Sequence, residues 1–164
     1  DGDIASIGAG ELELAASRGE NITVIMINNG VYGMTSGQMS PTTVVGQKTT
    51  TTQKGRDPHR HGHPVRVCEK LATLESPAYI ARVALIDPKH IIKAGKAIKK
   101  ALELQMKGKG FSFVEVLSAC PINWGISPKD CSDWIKENMI PVFPLGEFRT
   151  PADEKQGEEQ CMKN

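Results

Sequence analysis

Six consecutive positions, Ile22-Thr23-Val24-Ile25-Met26-Ile27, are apolar or β-branched with no polar alternation. A half-solvated strand alternates, so an unbroken run of this kind predicts a strand buried on both faces, the habit of parallel sheets covered by helices. Phe111 to Leu117 predicts a second buried strand, and Ala78 to Ile86, bounded by Pro77 and Pro88, a third. Helices are predicted between them. Ile4 to Arg18 is rich in good helix formers and stops at Gly19; Arg66 to Leu74 is a short candidate. His90 to Lys107 repeats apolar residues at Ile91, Ala94, Ile98, Ala101, Leu102 and Met106, a 3.6-residue period ended by Gly108. Pro128 to Met139 begins with a proline suited to a first helical turn. This alternation predicts an α/β fold with a central parallel sheet flanked by helices.

The chain has 164 residues, enough for one domain with a sizeable core, expected over residues 1–149 and followed by a polar tail over 150–164. Twenty basic residues against nineteen acidic ones leave a net charge of +1, which argues against a general nucleic-acid binder or a polybasic membrane-surface protein. No apolar run approaches the roughly 20 residues of a membrane span. The chain opens on Asp1-Gly2-Asp3 without Met or a signal-like segment, while patterned structure starts at once, so an N-terminally truncated domain is expected. Cys68, Cys120, Cys131 and Cys161 lack the short spacings of zinc ribbons or redox pairs, which predicts reduced thiols and a cytoplasmic setting.

In an open α/β sheet, ligands gather beyond the carboxyl ends of the strands. A helix of about 14 residues climbs ~21 Å, and a seven-residue strand returns ~23 Å. The sum brings Asn29, after the first strand, back to the level of Asp1, before the first helix. One carboxylate, one amide oxygen and nearby carbonyls then converge, a hard-oxygen set of low charge that suits Mg²⁺ sharing its shell with phosphates. Gly2 permits close backbone approach, and the helix start offers free N–H groups to an anion. The same strings also serve as an ordinary helix cap and an Asn-Asn-Gly turn, and because such strings are common the residues alone favour that plainer reading.

Asp1-Gly2-Asp3 with Asn28-Asn29 at this spacing resembles the diphosphate-binding signature of thiamine diphosphate enzymes, whose leading Gly would precede residue 1. The continuation Val31-Tyr32-Gly33-Met34-Thr35-Ser36-Gly37-Gln38-Met39-Ser40-Pro41-Thr42-Thr43 resembles the beta subunit of 2-oxoacid:ferredoxin oxidoreductases, especially those acting on branched-chain 2-oxo acids or 2-oxoglutarate. Cys120-Pro121-Ile122-Asn123-Trp124-Gly125 and Ile140-Pro141-Val142-Phe143-Pro144-Leu145-Gly146 fit the same subunit, so the likeness runs from residue 1 to about 149. Ser36 stands where that family usually has Gly, a change that a small residue should tolerate if φ there is negative.

The resemblance implies a thiamine diphosphate-binding fold in which Asp1 and Asn29 ligate Mg²⁺ by side chains and Val31 by its carbonyl. Gly2, Asp3, Gly33, Met34 and Thr35 would line the diphosphate. It further implies oxidative decarboxylation of a 2-oxo acid to acyl-CoA, with electrons passing through a [4Fe–4S] cluster to ferredoxin. Cys120 would be the cluster's last ligand; the other three would precede residue 1. The glutamate that activates the cofactor would lie on another domain, so companion subunits are implied as partners. Two competing readings stay beside this one: a non-oxidative thiamine diphosphate decarboxylase or synthase, which needs no cluster, and a non-catalytic assembly module of the same fold.

Other features take plainer readings. Val31 to Pro64, 34 residues without a period, is too long for a routine connection and is expected to be functional or loosely ordered. Within it His59, His61 and His63 alternate around Arg60, which opposes a cation and favours an exposed or subunit-contacting loop. Lys93, Lys96, Lys99, Lys100, Lys107 and Lys109 read as a solvated outer face. Trp124 and Trp134 read as core or interface anchors, and Cys68, Cys131 and Cys161 as inert thiols.

Overall fold

The computed structural model describes residues 1–151. Beyond Pro151 the polar tail expected over 150–164 lies outside the described residues, as does Cys161. A π-helical turn, Asp3–Ile7, leads into α1 (Ala9–Arg18). Then follow β1 (Thr23–Asn28), a small hairpin of β2 (Val31–Tyr32) and β3 (Gln38–Met39), α2 (Pro58–His61), α3 (Val67–Ala72), β4 (Tyr79–Ala84) and α4 (Pro88–Met106). The remainder is β5 (Ser112–Leu117), α5 (Pro121–Trp124), α6 (Cys131–Trp134), a second π-helical turn (Ile135–Met139) and β6 (Gly146–Arg149).

The main sheet has the order β1-β5-β4-β6. β5 runs parallel to both β1 and β4, and β6 runs antiparallel along β4. The sheet is therefore mostly parallel, with one antiparallel edge that the sequence reading lacked. Gly146-Glu147-Phe148-Arg149 has no apolar run to announce a strand. It is anchored instead by Glu147, whose Oε1 accepts from Tyr79 Oη at 2.7 Å and from Lys100 Nζ at 2.8 Å.

All six residues of β4 and of β5 are buried, as central strands require. β1 differs from expectation. It lies at the sheet edge, where Met26 and Asn28 are buried while Ile25 and Ile27 remain 41% and 48% exposed. The cause is coverage: α4 packs chiefly over β4 and β5. The helix presents Ala94, Ala97, Ala101 and Leu104 to the sheet, small residues that allow a close approach, so Ile91, Leu102 and Met106 face outward. The expected apolar stripe was rotated by part of a turn. α4 also begins two residues early, because Asp87 caps it by accepting from the His90 N–H at 2.9 Å and Pro88 fills its first turn.

Two other boundaries shift for local reasons. The first predicted helix is interrupted at Gly8, where the Gly8 N–H reaches back to the Asp3 carbonyl at 2.8 Å and closes the π turn. The helix predicted from Pro128 starts at Cys131, because Asp130 N–H bonds the Ser127 carbonyl in a turn. Among the described residues no helix is long and apolar enough to cross a membrane.

One side chain gathers two stretches of the long segment 31–64. Arg56, 5% exposed, sends its guanidinium to the carbonyls of Ser40, Pro41, Thr43, His61, Gly62 and His63 at 2.7–3.3 Å. Guanidinium has five donors in a fixed planar fork, so it can gather several backbone acceptors that would otherwise be buried unpaired. His61 is occupied as well: its Nδ1 accepts from the Asp57 N–H at 3.1 Å.

Candidate functional site

The carboxyl end of β1 meets the start of the chain. The Asp1 amino nitrogen donates to the Ile27 carbonyl at 2.6 Å, which puts Asp1 beside the end of the strand. Its carboxylate is held by the hairpin segment: Oδ2 accepts from Ser40 Oγ at 2.9 Å and from Thr42 Oγ1 at 2.5 Å. Those bonds leave Asp1 Oδ1 unengaged among the described residues. Gly2 lies flat against Tyr32, where a Cβ would sit 2.4 Å from the ring, so no larger residue fits.

Asn28-Asn29-Gly30 leaves the strand in two overlapping side-chain turns. Asn28 Oδ1 accepts from the Gly30 N–H, and Asn29 Oδ1 from the Val31 N–H, both at 3.1 Å. Gly30 has φ +71° and presses on Gln47, so both its conformation and its space require glycine. Thr43 Oγ1 donates to the Gly30 carbonyl at 2.5 Å. Gly33 returns toward Asn29: an added Cβ would lie 3.4 Å from Asn29 Nδ2 and 3.7 Å from Cys120 Sγ.

The structure thus brings Asp1, Gly2, Asn29, Val31, Gly33 and Cys120 to one rim. Val31 is buried, Asp1, Gly33 and Cys120 are partly buried, and Asp3, Met34 and Thr35 stand exposed at the edge of the group. Thr35 Oγ1 is engaged locally, donating to Gln38 Oε1 at 2.6 Å. The condition for easy tolerance of Ser36 is not met, because its φ is +87°. A serine in the left-handed region costs roughly 1–2 kcal/mol relative to its preferred conformations. Ser36→Gly is expected to raise unfolding stability by up to ~1 kcal/mol, read by urea denaturation; a loss of stability would show that the serine side chain is wanted there.

Several residues hold this rim in roles that the sequence did not assign to them. Ser40 and Thr42 fix the Asp1 carboxylate. Asn123 Nδ2 donates to the Gly33 carbonyl at 2.9 Å and to Cys120 Sγ at 3.1 Å, and Trp124 Nε1 donates to the Asn29 carbonyl at 2.9 Å. Trp124 is steadied in turn by Trp134, with ring centroids 4.2 Å apart.

Beneath the rim, a charged chain crosses the core. Asn28 Nδ2 donates to Glu115 Oε1 at 2.7 Å, and Arg82 Nε to Glu115 Oε2 at 2.7 Å. Arg82 also grips Glu69 with both terminal nitrogens at 2.6 and 3.0 Å, and lies over the rings of Phe143 and Phe148. Burial works against the Arg82 charge, but Glu69 and Glu115 outweigh it and hold the guanidinium above its ordinary pKa. Burial likewise favours a neutral Glu69, yet the Arg82 bond and charge keep it below the usual carboxylate range. Cys68 is pushed well up, by burial and then by Glu115, so it stays a thiol and donates to Glu115 Oε2 at 3.3 Å. A sequence signal existed: Glu115 and Arg82 each interrupt an apolar strand, and they face each other in register.

Residues 1–116 match the family described as thiamine pyrophosphate enzyme, C-terminal TPP binding domain. The chain is 51% identical over 154 residues to ketoisovalerate oxidoreductase subunit VorA of Methanothermobacter thermautotrophicus, covering 94% of this chain and 32% of that subunit. It is 39% identical over 145 residues to 2-oxoglutarate synthase subunit KorB of Methanocaldococcus jannaschii, covering 85% of this chain and 49% of the relative. Among solved structures, 2-oxoglutarate:ferredoxin oxidoreductase from Magnetococcus marinus, with 2-oxoglutarate, coenzyme A and succinyl-CoA bound, superposes with a TM-score of 0.64 at 27% identity, over 84% of this chain and 42% of that one. The chain spans between a third and a half of the length of these relatives. A rim of close-approach glycines, one carboxylate and one amide at the end of a mostly parallel sheet, with a family match over more than two thirds of the residues, leads to one assignment: the chain belongs to the thiamine pyrophosphate enzymes, as a C-terminal TPP-binding domain.

Proposed function

We propose that this chain binds the magnesium–diphosphate end of thiamine diphosphate in a 2-oxoacid:ferredoxin oxidoreductase. The observation that supports the reading is the bond from Asp1 to the Ile27 carbonyl at the end of β1, the strand end from which Asn29 and Val31 also leave, with Gly33 packed back on Asn29. Asp1 Oδ1 is unengaged among the described residues, Asn29 Oδ1 spends one lone pair on the Val31 N–H, and Gly2 and Gly33 let the backbone pack closely on Tyr32 and on Asn29. Hard oxygens of this kind fit Mg²⁺, which keeps part of its shell for phosphate. Asp1, Asn29 and the Val31 carbonyl ligate the ion. Gly2, Asp3, Gly33, Met34 and Thr35 line the diphosphate.

The chemistry that bound thiamine diphosphate supplies is decarboxylation of a 2-oxo acid, with the acyl group passing to coenzyme A. This chain's part is to hold the anionic end in one pose. Cys120 is a free thiol at the same rim, and the amide donor from Asn123 suits a thiolate, which supports a role as one ligand of a [4Fe–4S] cluster feeding ferredoxin. Cys68 and Cys131 are buried, so the remaining cluster ligands come from outside the described residues. Companion subunits complete the setting, in keeping with relatives that are themselves named as subunits, together with ferredoxin as acceptor and a cytoplasmic location.

The test uses the full-length subunit assembled with its companions. Iron and thiamine diphosphate should co-purify, and ferredoxin should be reduced when a 2-oxo acid and coenzyme A are both supplied. Cys120→Ser should cut iron below half of the parent value while retaining thiamine diphosphate. Thiamine diphosphate with unchanged iron in that variant would point instead to a non-oxidative enzyme, and a parent that retains no cofactor would point to an assembly module.

A further inference from the structure

Val31, whose carbonyl is the backbone ligand proposed above, sits midway between two pinned carbonyls. Trp124 Nε1 holds that of Asn29 and Asn123 Nδ2 that of Gly33, each at 2.9 Å, two residues to either side. Both donors come from adjacent positions of the four-residue α5. Neither side chain is free to drift. Asn123 is wedged against Gly37, where an added Cβ would lie only 2.8 Å from Asn123 Oδ1, and it also donates to Cys120 Sγ. Trp124 is stacked on Trp134, itself the end of α6. The segment between the pins contains Gly30 in a left-handed conformation and would otherwise be easily deformed.

We infer that Asn123 and Trp124 are positioning residues that fix the Asn29–Gly33 segment at the spacing Mg²⁺ demands, and so set the selectivity of the site for Mg²⁺ over Ca²⁺. This rests on the Mg²⁺ assignment proposed above. Mg²⁺ requires near-octahedral oxygens at about 2.0–2.1 Å, whereas Ca²⁺ accepts six to eight ligands at about 2.3–2.6 Å in loose geometry. A clamp that stiffens the Val31 carbonyl therefore favours the smaller ion. Releasing it penalises Mg²⁺ far more than Ca²⁺. Partners that orient metal ligands typically govern affinity by about 10–100-fold.

The experiment takes the full-length subunit and measures thiamine diphosphate retained in equilibrium dialysis against rising Mg²⁺ or Ca²⁺. Asn123→Asp keeps the side-chain shape and removes the amide donor; Trp124→Phe keeps an aromatic ring against Trp134 and removes only the N–H. Each variant is expected to need about 10-fold more Mg²⁺ for half-retention, with the Ca²⁺ requirement changed by less than about threefold. Equal weakening toward both ions would mean a purely structural role and overturn the inference, as would unchanged retention with Mg²⁺. If the parent itself retains no cofactor with either ion, the Mg²⁺ reading falls and takes this inference with it. If the parent binds normally and the variants keep its Mg²⁺/Ca²⁺ ratio, the clamp alone falls.

Discussion

Asp1→Ala in the full-length subunit should lower the apparent Mg²⁺ affinity of the thiamine diphosphate complex by at least about 100-fold, leaving little cofactor after gel filtration. The size follows from what is removed. Asp1 is the single anionic side chain in the proposed ligand set, and even residues that merely orient a ligand are worth about 10–100-fold. The variant also takes the shared acceptor from two hydroxyls, since Ser40 Oγ and Thr42 Oγ1 both donate to the lost carboxylate and are left with each other at 2.9 Å. Asp1→Asn separates the two effects. It keeps an oxygen for those hydroxyls but removes the charge, so the fold should be intact while Mg²⁺ binding remains weak. Retention at the parent level in both variants would end the ligand assignment.

Arg82→Met should lower stability by about 3–5 kcal/mol, the usual result of removing one partner of a buried ion pair. Arg82 and Glu115 have fully buried side chains, and without the guanidinium Glu115 keeps only Asn28 and Cys68 as hydrogen-bond partners. Neither offsets a negative charge. At about 2–4 °C per kcal/mol for a chain of this size, the melting temperature should fall by roughly 10 °C, read by calorimetry. Pairing Arg82→Met with Glu115→Gln should restore a large part of the loss, because the stranded charge disappears with it. A fall of under about 2 °C for the single variant would mean that the carboxylate finds other compensation. The damage should also reach the rim, since the Glu115–Asn28 bond orients the side chain that caps the Gly30 N–H.

How far the sequence could be read follows from range. Unbroken apolar runs report burial on both faces, and they located β4 and β5 correctly because those strands are central. Ile22–Ile27 carries the same signature yet forms an edge, since composition says what a strand tolerates and not what covers it. The stripe on α4 was misjudged because alanine is a weak marker of burial, and alanine is what lets that helix lie close. At the rim, the return of Asp1 to the carboxyl end of the first strand was legible from the near-equal lengths of helix and strand, and the Asp1 amino group meets the Ile27 carbonyl there. The rim contacts of Asn123 and Trp124 were not legible, for they bridge some 90 positions of chain and no period encodes them. Arg56 escaped notice for a related reason: nothing local distinguishes an arginine that gathers six carbonyls from one that waves in water.

That arginine changes how an incoming anion would be received. A 34-residue connection left to itself must surrender its freedom when a ligand docks, which slows capture and weakens it. Here Arg56 has already frozen the turns around Ser40, Thr42 and Thr43 as part of folding. Docking then resembles a key entering a rigid lock, and its heat-capacity change should reflect the small surface covered at the rim and nothing of a loop condensing around it.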